Sequence, residues 1–452
     1  MATLALGLAG TAQAADPTLR EAAAPTGRFI GTAINDGLLN DSTYRSIAGT
    51  EFNSVTAENA MKWEAVEPQR GQFNWAGADR LVQFAQQHNQ LVYGHTLVWH
   101  SQMPGWLQNG SFSNSELRTI MTGHVTTQVG RYRGQIPRWD VVNEVFNEDG
   151  TLRQSKFYQQ LGESYIADSF RAAHAADPGA KLFINDYNVE GVNAKSDGMY
   201  RLVQRLLDQG VPIHGVGLQA HLIVGQVPGT LQQNIQRFAN LGLEVVITEL
   251  DIRMRTPSDS SKLQQQARDY RAVASACLAV PRCSGITVWG ISDRDSWVPD
   301  TFPGEGAACP YDENYRPKPA YDALRAAFIE AGGGDPGDPG DPGDPGTPGG
   351  DCSAAFTVSN RWDTGSVVEV RIRTAQALNG WRAEFELPSG VSVVNGWNGG
   401  FSQSGNRVTV TNASYNGTVP AGGTVSFGFQ TGGGAAQDGT AVSLGGKRCA
   451  AG

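Results

Sequence analysis

The chain has 452 residues, of which 40% are hydrophobic, so it is long enough for a large core and for more than one average domain. Its formal net charge is −9 and it contains no basic cluster, which argues against a nucleic-acid partner.

The N-terminus has part of the pattern of a secretion signal. Leu4–Ala9 is apolar and Ala12-Gln13-Ala14 matches a small-residue cleavage pattern, although no Lys or Arg precedes them. We expect residues 1–14 to be a signal peptide and the protein to be secreted and extracellular. No later segment has 18 consecutive apolar residues, so no membrane span is predicted.

Strand-like and helix-like segments alternate up to residue 331. The eight strand-like runs are Phe29–Ile34, Phe52–Ala57, Leu91–Val98, Trp139–Val142, Lys181–Ile184, Gly215–Gln219, Glu244–Ile247 and Gly285–Val288. The helix-like segments include Ala76–His88, Ser155–Ala176, Ser196–Gln209, Gln232–Leu241 and Ser260–Ala279. Eight such repeats predict an α/β fold with a closed (β/α)₈ TIM barrel over residues 23–331, and a doubly wound open sheet is the alternative.

Polar or aromatic side chains follow nearly every predicted strand. They are Asn35, Glu58, Asn59, His95, Asn143, Glu144, Asn185, Asp186, Gln219, His221, Glu249, Asp251 and Trp289. In a closed barrel all eight strand ends meet at one rim, where the active sites of this fold lie. We therefore expect the functional site at this rim.

The segment "GGGDPGDPGDPGDPGTPGG", residues 332–350, is predicted to be a linker. Its regular Pro residues prevent helix formation, Gly keeps it flexible, and the repeated Asp charges repel one another. Residues 351–452 are rich in Thr, Val, Ser and Gly. Their short alternating runs, Val367–Arg373, Ala383–Leu387, Arg407–Val410 and Val425–Phe429, predict a small all-β sandwich module. Its nearly balanced charge suits an uncharged partner.

Cysteine usage agrees with export. Cys277 and Cys283 are six residues apart, and Cys352 and Cys449 bracket the C-terminal module. Pairing them in this way gives two disulfides, which persist outside the cytoplasm. Cys309 is left over and is predicted to be a free thiol.

Two acidic residues at the predicted rim form a candidate catalytic pair. Glu144 follows the fourth strand in "RWDVVNEVFNED", and Glu249 ends the apolar run of the seventh strand in "EVVITELDIR". Strands four and seven lie across a barrel mouth from each other. Glycoside hydrolysis needs two such carboxyl groups, one protonated to release the leaving group and one ionised to attack or to activate water.

These segments resemble those of the glycoside hydrolase family 10 endo-β-1,4-xylanases. "WDVVNE" and "ITELDIR" match the two catalytic segments, and "TAENAMKWE", "GHTLVWHSQMPGW", "NDYNVEG", "GLQAHL" and "WGISDRDSWV" match further motifs in unbroken order over about Ala23–Ala331. The resemblance implies a retaining (β/α)₈ enzyme in which Glu144 is the acid/base and Glu249 is the nucleophile.

The same resemblance implies the residues around the carboxyl pair. His221 and Asp251 would orient Glu249, and Asn143 would bind the sugar 2-hydroxyl. The polar residues implied to grip the glycone side are Glu58, Asn59, Lys62, His95 and Gln102. Gln219 and Tyr187 would lie close to the pair, and Trp99, Trp289 and Trp297 would form aromatic walls, although each Trp also fits an ordinary core position.

The C-terminal segment resembles the family 2 carbohydrate-binding modules. The matching parts are the terminal Cys352 and Cys449, "SNRW", "NGWNGG" and "SYNGTVPAGGTVSFGF". The resemblance implies an exposed aromatic strip of Trp362, Trp397 and Tyr415, with Tyr415 in place of the usual Trp, and it places Trp381 in the core. Insoluble cellulose or xylan is the expected partner.

The sequence therefore predicts a secreted, monomeric endo-xylanase with xylan as its substrate and a polysaccharide-binding module. An endoglucanase is the alternative within enzymes, and a non-catalytic carbohydrate-binding protein is the alternative from another class. The second would be expected to lack Glu144 or Glu249, and both are present. The region after strand seven has no Gly-rich phosphate loop. No metal and no cofactor is predicted, because the chain has no Cys/His cluster and no nucleotide motif.

Overall fold

The computed structural model describes residues 16–333, 352–362, 364–413, 416–420, 422–437 and 440–451. The chain separates into two compact units, a barrel before the linker and a β module after it. The predicted signal peptide, Tyr415 and all but Gly332 and Gly333 of the predicted linker lie outside the described residues.

The N-terminal unit is a closed barrel of eight parallel strands. They are β1 (Phe29–Ile34), β2 (Ser54–Ala57), β3 (Leu91–Gly94), β4 (Arg138–Asn143), β5 (Lys181–Asp186), β6 (Gly215–Leu218), β7 (Glu244–Arg255) and β8 (Cys283–Val288). Each strand pairs with the next, and β8 pairs with both β7 and β1. This closure confirms the predicted (β/α)₈ fold and excludes the open sheet.

A helix of at least ten residues follows each strand of the barrel. These helices are Ser42–Glu51, Ala76–Gln87, Asn114–Arg131, Ser164–Ala176, Ala194–Asp208, Leu231–Asn240, Ser260–Leu278 and Pro319–Ala331. Shorter α-helices are Leu19–Ala23, Trp63–Val66, Gly105–Asn109, Lys156–Leu161 and Val298–Thr301. Several begin at polar caps; for example, Asp41 and Ser113 accept the backbone N–H groups of the first turns that follow them.

The predicted helix Ser155–Ala176 is two helices. Gly162 ends the first one, Lys156–Leu161, with a φ of 64° and a ψ of −167°, a conformation that glycine adopts far more readily than other residues. The second, Ser164–Ala176, packs its apolar face on the barrel. The prediction of one helix was wrong because it gave this glycine too little weight.

Aromatic side chains fill the barrel interior below the rim. Phe29, Tyr93, Phe183 and Val246 form a buried cluster contributed by the alternate strands β1, β3, β5 and β7. This is the layered packing of such barrels. A glycine leaves room for one of these rings, because a Cβ added at Gly215 would lie 2.1 Å from the Phe183 ring. The interior is therefore a packed core, and only the carboxyl ends of the strands can line a site.

The C-terminal unit is an all-β module of two five-stranded sheets, as predicted. One sheet contains, in order, Ser392–Trp397, Thr424–Gly432, Gly365–Thr374, Cys352–Trp362 and Ala450–Ala451. The other contains Gly399–Ser404, Arg407–Asn412, Arg382–Glu386, Ser443–Leu444 and Lys447–Arg448, and a short ribbon pairs Leu378–Asn379 with Thr418–Val419. Among the described residues of the module, all strand pairings are antiparallel except that of Cys352–Trp362 with Ala450–Ala451. The sheets share an aromatic core in which Phe385 stacks on Phe427 and Phe429.

The cysteines pair as predicted. Cys277 bonds Cys283, and Cys352 bonds Cys449 with a Cα–Cα distance of 4.8 Å. Cys309 is a buried free thiol. Within the described ranges, none of the helices has both the length and the apolar character that crossing a membrane requires.

Candidate active site

Glu144 lies immediately after β4 on a backbone that is held on both sides. Its φ is +56°, in the left-handed region, and its N–H donates to the Asn185 carbonyl at 2.9 Å. Its carbonyl accepts from Arg153 Nε at 2.9 Å, and the same guanidinium donates to Tyr187 Oη at 2.9 Å. The direction of the Glu144 side chain is therefore set by a fixed turn.

Glu249 lies inside β7 rather than beyond its end, and its side chain is almost fully buried. Asn185 Nδ2 donates to Oε1 at 2.7 Å, and His221 Nε2 contacts Oε2 at 3.1 Å. His95 Nδ1 lies 4.0 Å from Oε1. Both carboxylate oxygens thus face groups that favour negative charge.

The charges around Glu249 favour its ionised form. Burial raises the pKa of Glu249, but His95, His221 and Asn185 together outweigh burial and hold the pKa below its usual value. Burial lowers the pKa of His221, whereas Asp251 and Glu249 raise it more strongly, to about 10. The neighbourhood of Glu249 is therefore an ionised carboxylate beside a cationic imidazole at neutral pH.

Asp251 supports His221 from the side away from Glu249. Its Oδ1 lies 3.0 Å from His221 Nδ1, in an ion-pair contact that is not aligned as a hydrogen bond. Its Oδ2 accepts from Trp297 Nε1 at 2.7 Å. Asp251 thereby fixes both an imidazole and an indole at the rim.

A row of amides connects the two carboxyl groups. Gln219 Nε2 contacts Glu144 Oε1 at 3.3 Å and Asn143 Oδ1 at 3.2 Å. Asn185 Nδ2 donates to the same Asn143 oxygen at 3.0 Å and also to Glu249. The chain Glu144–Gln219–Asn143–Asn185–Glu249 therefore spans the rim from β4 to β7, and it brings the two predicted catalytic residues into one site.

Four of the five predicted glycone-side residues, Glu58, Asn59, Lys62 and Gln102, form a second polar group beyond β2, whereas His95 lies apart, against Asp140 and Glu249. Lys62 Nζ donates to Asn59 Oδ1 at 3.0 Å and to Gln102 Oε1 at 2.8 Å. Burial lowers the pKa of Lys62, although the carboxylates of Glu249 and Glu58 oppose that shift, and burial raises the pKa of Glu58. These groups can bind hydroxyl groups as both donors and acceptors.

The three tryptophans predicted to form aromatic walls, Trp99, Trp289 and Trp297, lie at the rim and differ in how far they are buried. Lys62 Nζ is 5.0 Å from the centre of the Trp99 ring. Trp289 is 7% exposed, and its ring contacts His95 edge-on at 5.3 Å between centroids. Trp297 is half-buried and lies 4.8 Å from the His221 ring. A pocket between Trp289, Trp297 and Glu58 opens on this side of the site.

Sequence reasoning missed residues that act behind the rim. The sequence identifies Asn185 only as a polar residue at a strand end, yet its side chain contacts both Asn143 and Glu249. Asp140, inside β4, is buried and accepts from His95 Nδ1 at 2.9 Å. A charged residue in the apolar run "WDVV" was the available signal for Asp140. Nothing in the local pattern around Arg153 indicated its contact with Glu144.

The described residues contain no group of three or more His, Cys, Asp or Glu side chains that could hold a metal ion. What the site does contain is a fixed ionised carboxylate, a second carboxyl group on a rigid turn, amide donors and aromatic faces. At the rim of a (β/α)₈ barrel, this combination defines the class of glycoside hydrolases.

Comparison of the sequence with known protein families identifies the particular family. The model of glycosyl hydrolase family 10 matches residues 18–327, and that of a cellulose binding domain matches residues 352–449. The chain belongs to glycosyl hydrolase family 10 and carries this second domain at its C-terminus.

Curated relatives agree with this assignment. The chain is 55% identical to an endo-1,4-beta-xylanase of Agaricus bisporus over 299 residues, 66% of this chain and 90% of the relative. It is 48% identical over 302 residues to endo-1,4-beta-xylanase A of Phanerodontia chrysosporium, covering 66% of this chain and 74% of that protein. The predicted family and enzyme class are confirmed.

Solved structures give the same result. Xylanase 10B of Thermotoga petrophila, determined in complex with xylobiose, is 38% identical with a TM-score of 0.69, covering 71% of this chain and 100% of that chain. Native xylanase 10B of Thermotoga maritima is 39% identical with a TM-score of 0.68, covering 70% and 99% of the two chains.

Two predicted tryptophans are exposed on one sheet of the C-terminal module. Trp362 is 43% exposed and Trp397 is 37% exposed, whereas Trp381 is 5% exposed and lies in the core, as expected. Each exposed ring lies over a glycine of its partner strand. A Cβ added at Gly365 would lie 2.7 Å from Trp362, and one added at Gly428 would lie 2.4 Å from Trp397. The glycines therefore let both rings lie flat against the sheet.

Proposed function

We propose that this chain is a secreted endo-1,4-β-xylanase that hydrolyses internal β-1,4 bonds of xylan with retention of configuration. The observation that carries the proposal is the Glu249 carboxylate, which is buried, contacted by Asn185 and His221, and linked through amides to Glu144. The names of the relatives, which are endo-1,4-beta-xylanases, support the substrate.

In the proposed mechanism, Glu249 is the nucleophile and Glu144 is the acid/base. Glu249 attacks the anomeric carbon while Glu144 gives its proton to the departing glycosidic oxygen. Glu144 then takes a proton from water, which attacks the same carbon and releases Glu249. The lowered pKa of Glu249 supports the first role, because a nucleophile must be ionised before attack.

The remaining predicted residues have roles in binding and orientation. Asn143 contacts the sugar 2-hydroxyl, and His221 and Asp251 orient the nucleophile. The residues of the glycone side are Glu58, Asn59, Lys62, His95 and Gln102, with Trp99, Trp289 and Trp297 as aromatic walls. Gln219 and Tyr187 lie close to the carboxyl pair. Gln219 contacts Glu144 directly, and Tyr187 contacts it through Arg153.

The C-terminal module is proposed to bring the barrel to insoluble cellulose or plant cell wall. The exposed rings of Trp362 and Trp397 can stack on the faces of sugar rings. A tether at residues 332–350 would let the barrel, residues 23–331, act near the site where the module, residues 351–452, is bound. The disulfide of the module supports an extracellular location, and residues 1–14 are proposed as the signal.

The proposal is tested by comparing substrates and products. The purified protein is assayed on soluble xylan and on carboxymethyl cellulose, and proton NMR follows the anomer that forms first. We expect faster hydrolysis of xylan and initial formation of the β-anomer. A faster rate on cellulose would identify an endoglucanase, and an initial α-anomer would refute the double displacement.

A further inference from the structure

Ala220 occupies an unusual position between two residues of the active site. Its φ is +63°, which is uncommon for a residue with a Cβ, and it is fully buried. Its carbonyl accepts from the Asp251 N–H at 3.3 Å, and the Gln219 carbonyl accepts from the Glu249 N–H at 2.9 Å. This turn directs Gln219 toward Glu144 and His221 toward Glu249.

The N–H group of Ala220 is held by a carboxyl group from the loop after β5. Glu190, which is 3% exposed, accepts this N–H on Oε1 at 2.8 Å. Burial raises the pKa of Glu190. Without this acceptor, the buried N–H of a strained residue would lose its partner, which proteins rarely tolerate.

Glu190 is itself fixed from the outer helix layer. Asn234, on the helix Leu231–Asn240, donates through Nδ2 to the carbonyls of Val189 at 2.6 Å and of Glu190 at 3.1 Å. Arg237 Nε donates to Asn234 Oδ1 at 2.6 Å. The loop after β5 is therefore a rigid support from which one carboxyl group reaches the loop after β6.

We propose that Glu190 is a positioning residue for the reaction proposed above, on which this inference rests. By accepting the Ala220 N–H, it maintains the left-handed turn that aims Gln219 at the acid/base and His221 at the nucleophile. Neither Glu144 nor Glu249 is a hydrogen-bond partner of Glu190 in the described part of the chain, so its effect on them is indirect, and its hydrogen bond to the Ala220 N–H is the contact through which it holds the turn.

The test compares variants that keep or remove the acceptor. Glu190→Leu keeps a similar volume, keeps water out and has no acceptor. Glu190→Gln keeps an oxygen that can accept the N–H, and Glu190→Asp retracts the acceptor while changing little volume. Glu51→Leu is a matched control, because Glu51 also accepts a backbone N–H, that of Leu19 at 2.9 Å, at the opposite end of the barrel strands.

We expect kcat of Glu190→Leu on xylan to fall about tenfold or more with KM within about threefold, because small misplacements at a reacting centre cost rate. Glu190→Gln should remain within about threefold of wild type, and Glu190→Asp should be intermediate. Because both carboxyl groups depend on the turn, Glu190→Leu should lose as much rate on an aryl xylobioside with a good leaving group. Glu51→Leu should lower the melting temperature without lowering kcat.

Several results would overturn the proposal. They are a wild-type kcat in folded Glu190→Leu, a loss in Glu190→Gln as large as in Glu190→Leu, or an equal loss of kcat in Glu51→Leu. If Glu190→Leu does not fold, Glu190→Asp decides, and an unchanged kcat there refutes the positioning role. Failure of the proposed function is seen separately, as a wild-type protein that does not hydrolyse xylan; the same variants are then compared on the β-glycan that it does hydrolyse.

Discussion

The substitution Asp251→Asn should reveal how strongly the rim depends on a cationic His221. Asparagine keeps the shape of the side chain and an oxygen for Trp297 Nε1, but it removes the charge 3.0 Å from His221 Nδ1. Burial lowers the pKa of His221, and Asp251 is the largest influence that opposes burial. We therefore expect the pKa of His221 to fall by about 1–3 units in the variant.

The magnitude follows from the pKa of about 10 for His221 in the folded protein. This value is raised above the ordinary value, so the cation stabilises the fold fully below about pH 6.5 and the contribution is lost as the pH rises through about 10. Each pKa unit corresponds to about 1.4 kcal/mol, so the variant should lose about 1.4–4 kcal/mol of this stabilisation. Its titration should then fall between about pH 7 and 9.

The assay is the pH dependence of kcat/KM on an aryl xylobioside with a good leaving group. Such a substrate does not need proton donation from Glu144. The fall of kcat/KM at high pH, the basic limb of the pH profile, therefore reports the charge beside Glu249. The limb should move to lower pH in Asp251→Asn. Unfolding in denaturant from pH 6 to 10 should show a matching decrease in the pH dependence of stability.

The control is Asp177→Asn, which removes a buried carboxylate that accepts the Gly134 N–H in the outer layer. It should change stability and leave the basic limb in place. Folded Asp251→Asn could instead have a pH profile of kcat/KM whose basic limb coincides with that of wild type. In that case Asp251 would not hold His221 in its cationic form, and the charges assigned to the rim would be wrong.

Three further predictions concern the carboxyl pair and the module. Glu249→Ala should nearly abolish hydrolysis while the fold persists, and azide should restore part of the turnover with an inverted product; a wild-type rate would show that Glu249 is not the nucleophile. Glu144→Ala should slow glycosylation by xylan far more than by aryl xylosides with acidic phenols, and an equal loss for both would exclude it as the acid. Replacing both Trp362 and Trp397 with Ala should largely abolish adsorption to cellulose and insoluble xylan without changing the rate on soluble xylan. The reason is that stacking is worth about 1–3 kcal/mol per ring in the comparable case of nucleobases. Unchanged adsorption would mean that the rings are structural.

The sequence predicted the barrel because its signal is repeated eight times. All eight apolar runs became barrel strands, with bounds that moved by a few residues. The largest difference is β7, which continues from Glu244 to Arg255 instead of ending at Ile247. Polar residues such as Glu249 and Asp251 remain in this strand because β8 and two short strands, His221–Ile223 and Glu305–Gly306, pair with it. A single-sequence pattern does not contain these pairings.

The sequence predicts those residues of the candidate site that are polar and directly follow an apolar strand-like run. Glu144, Asn143, Gln219 and His221 could be named for this reason. Residues that act through contacts between distant segments could not be placed. Glu190 reaches Ala220 from a different loop, and its sequence neighbourhood does not indicate which backbone group it meets.

Closure of the barrel also determines when activity can appear during folding. The pairing that closes the barrel joins β1 to β8, with Phe29 opposite Gly285, two residues that are 285 − 29 = 256 positions apart. Such distant pairings form slowly compared with helices. The groups around Glu249 come from β5 and from the segments that follow β3 and β6, so partly folded chains hold an incomplete set. We therefore expect enzymatic activity to return later than the helical signal when the denatured chain refolds.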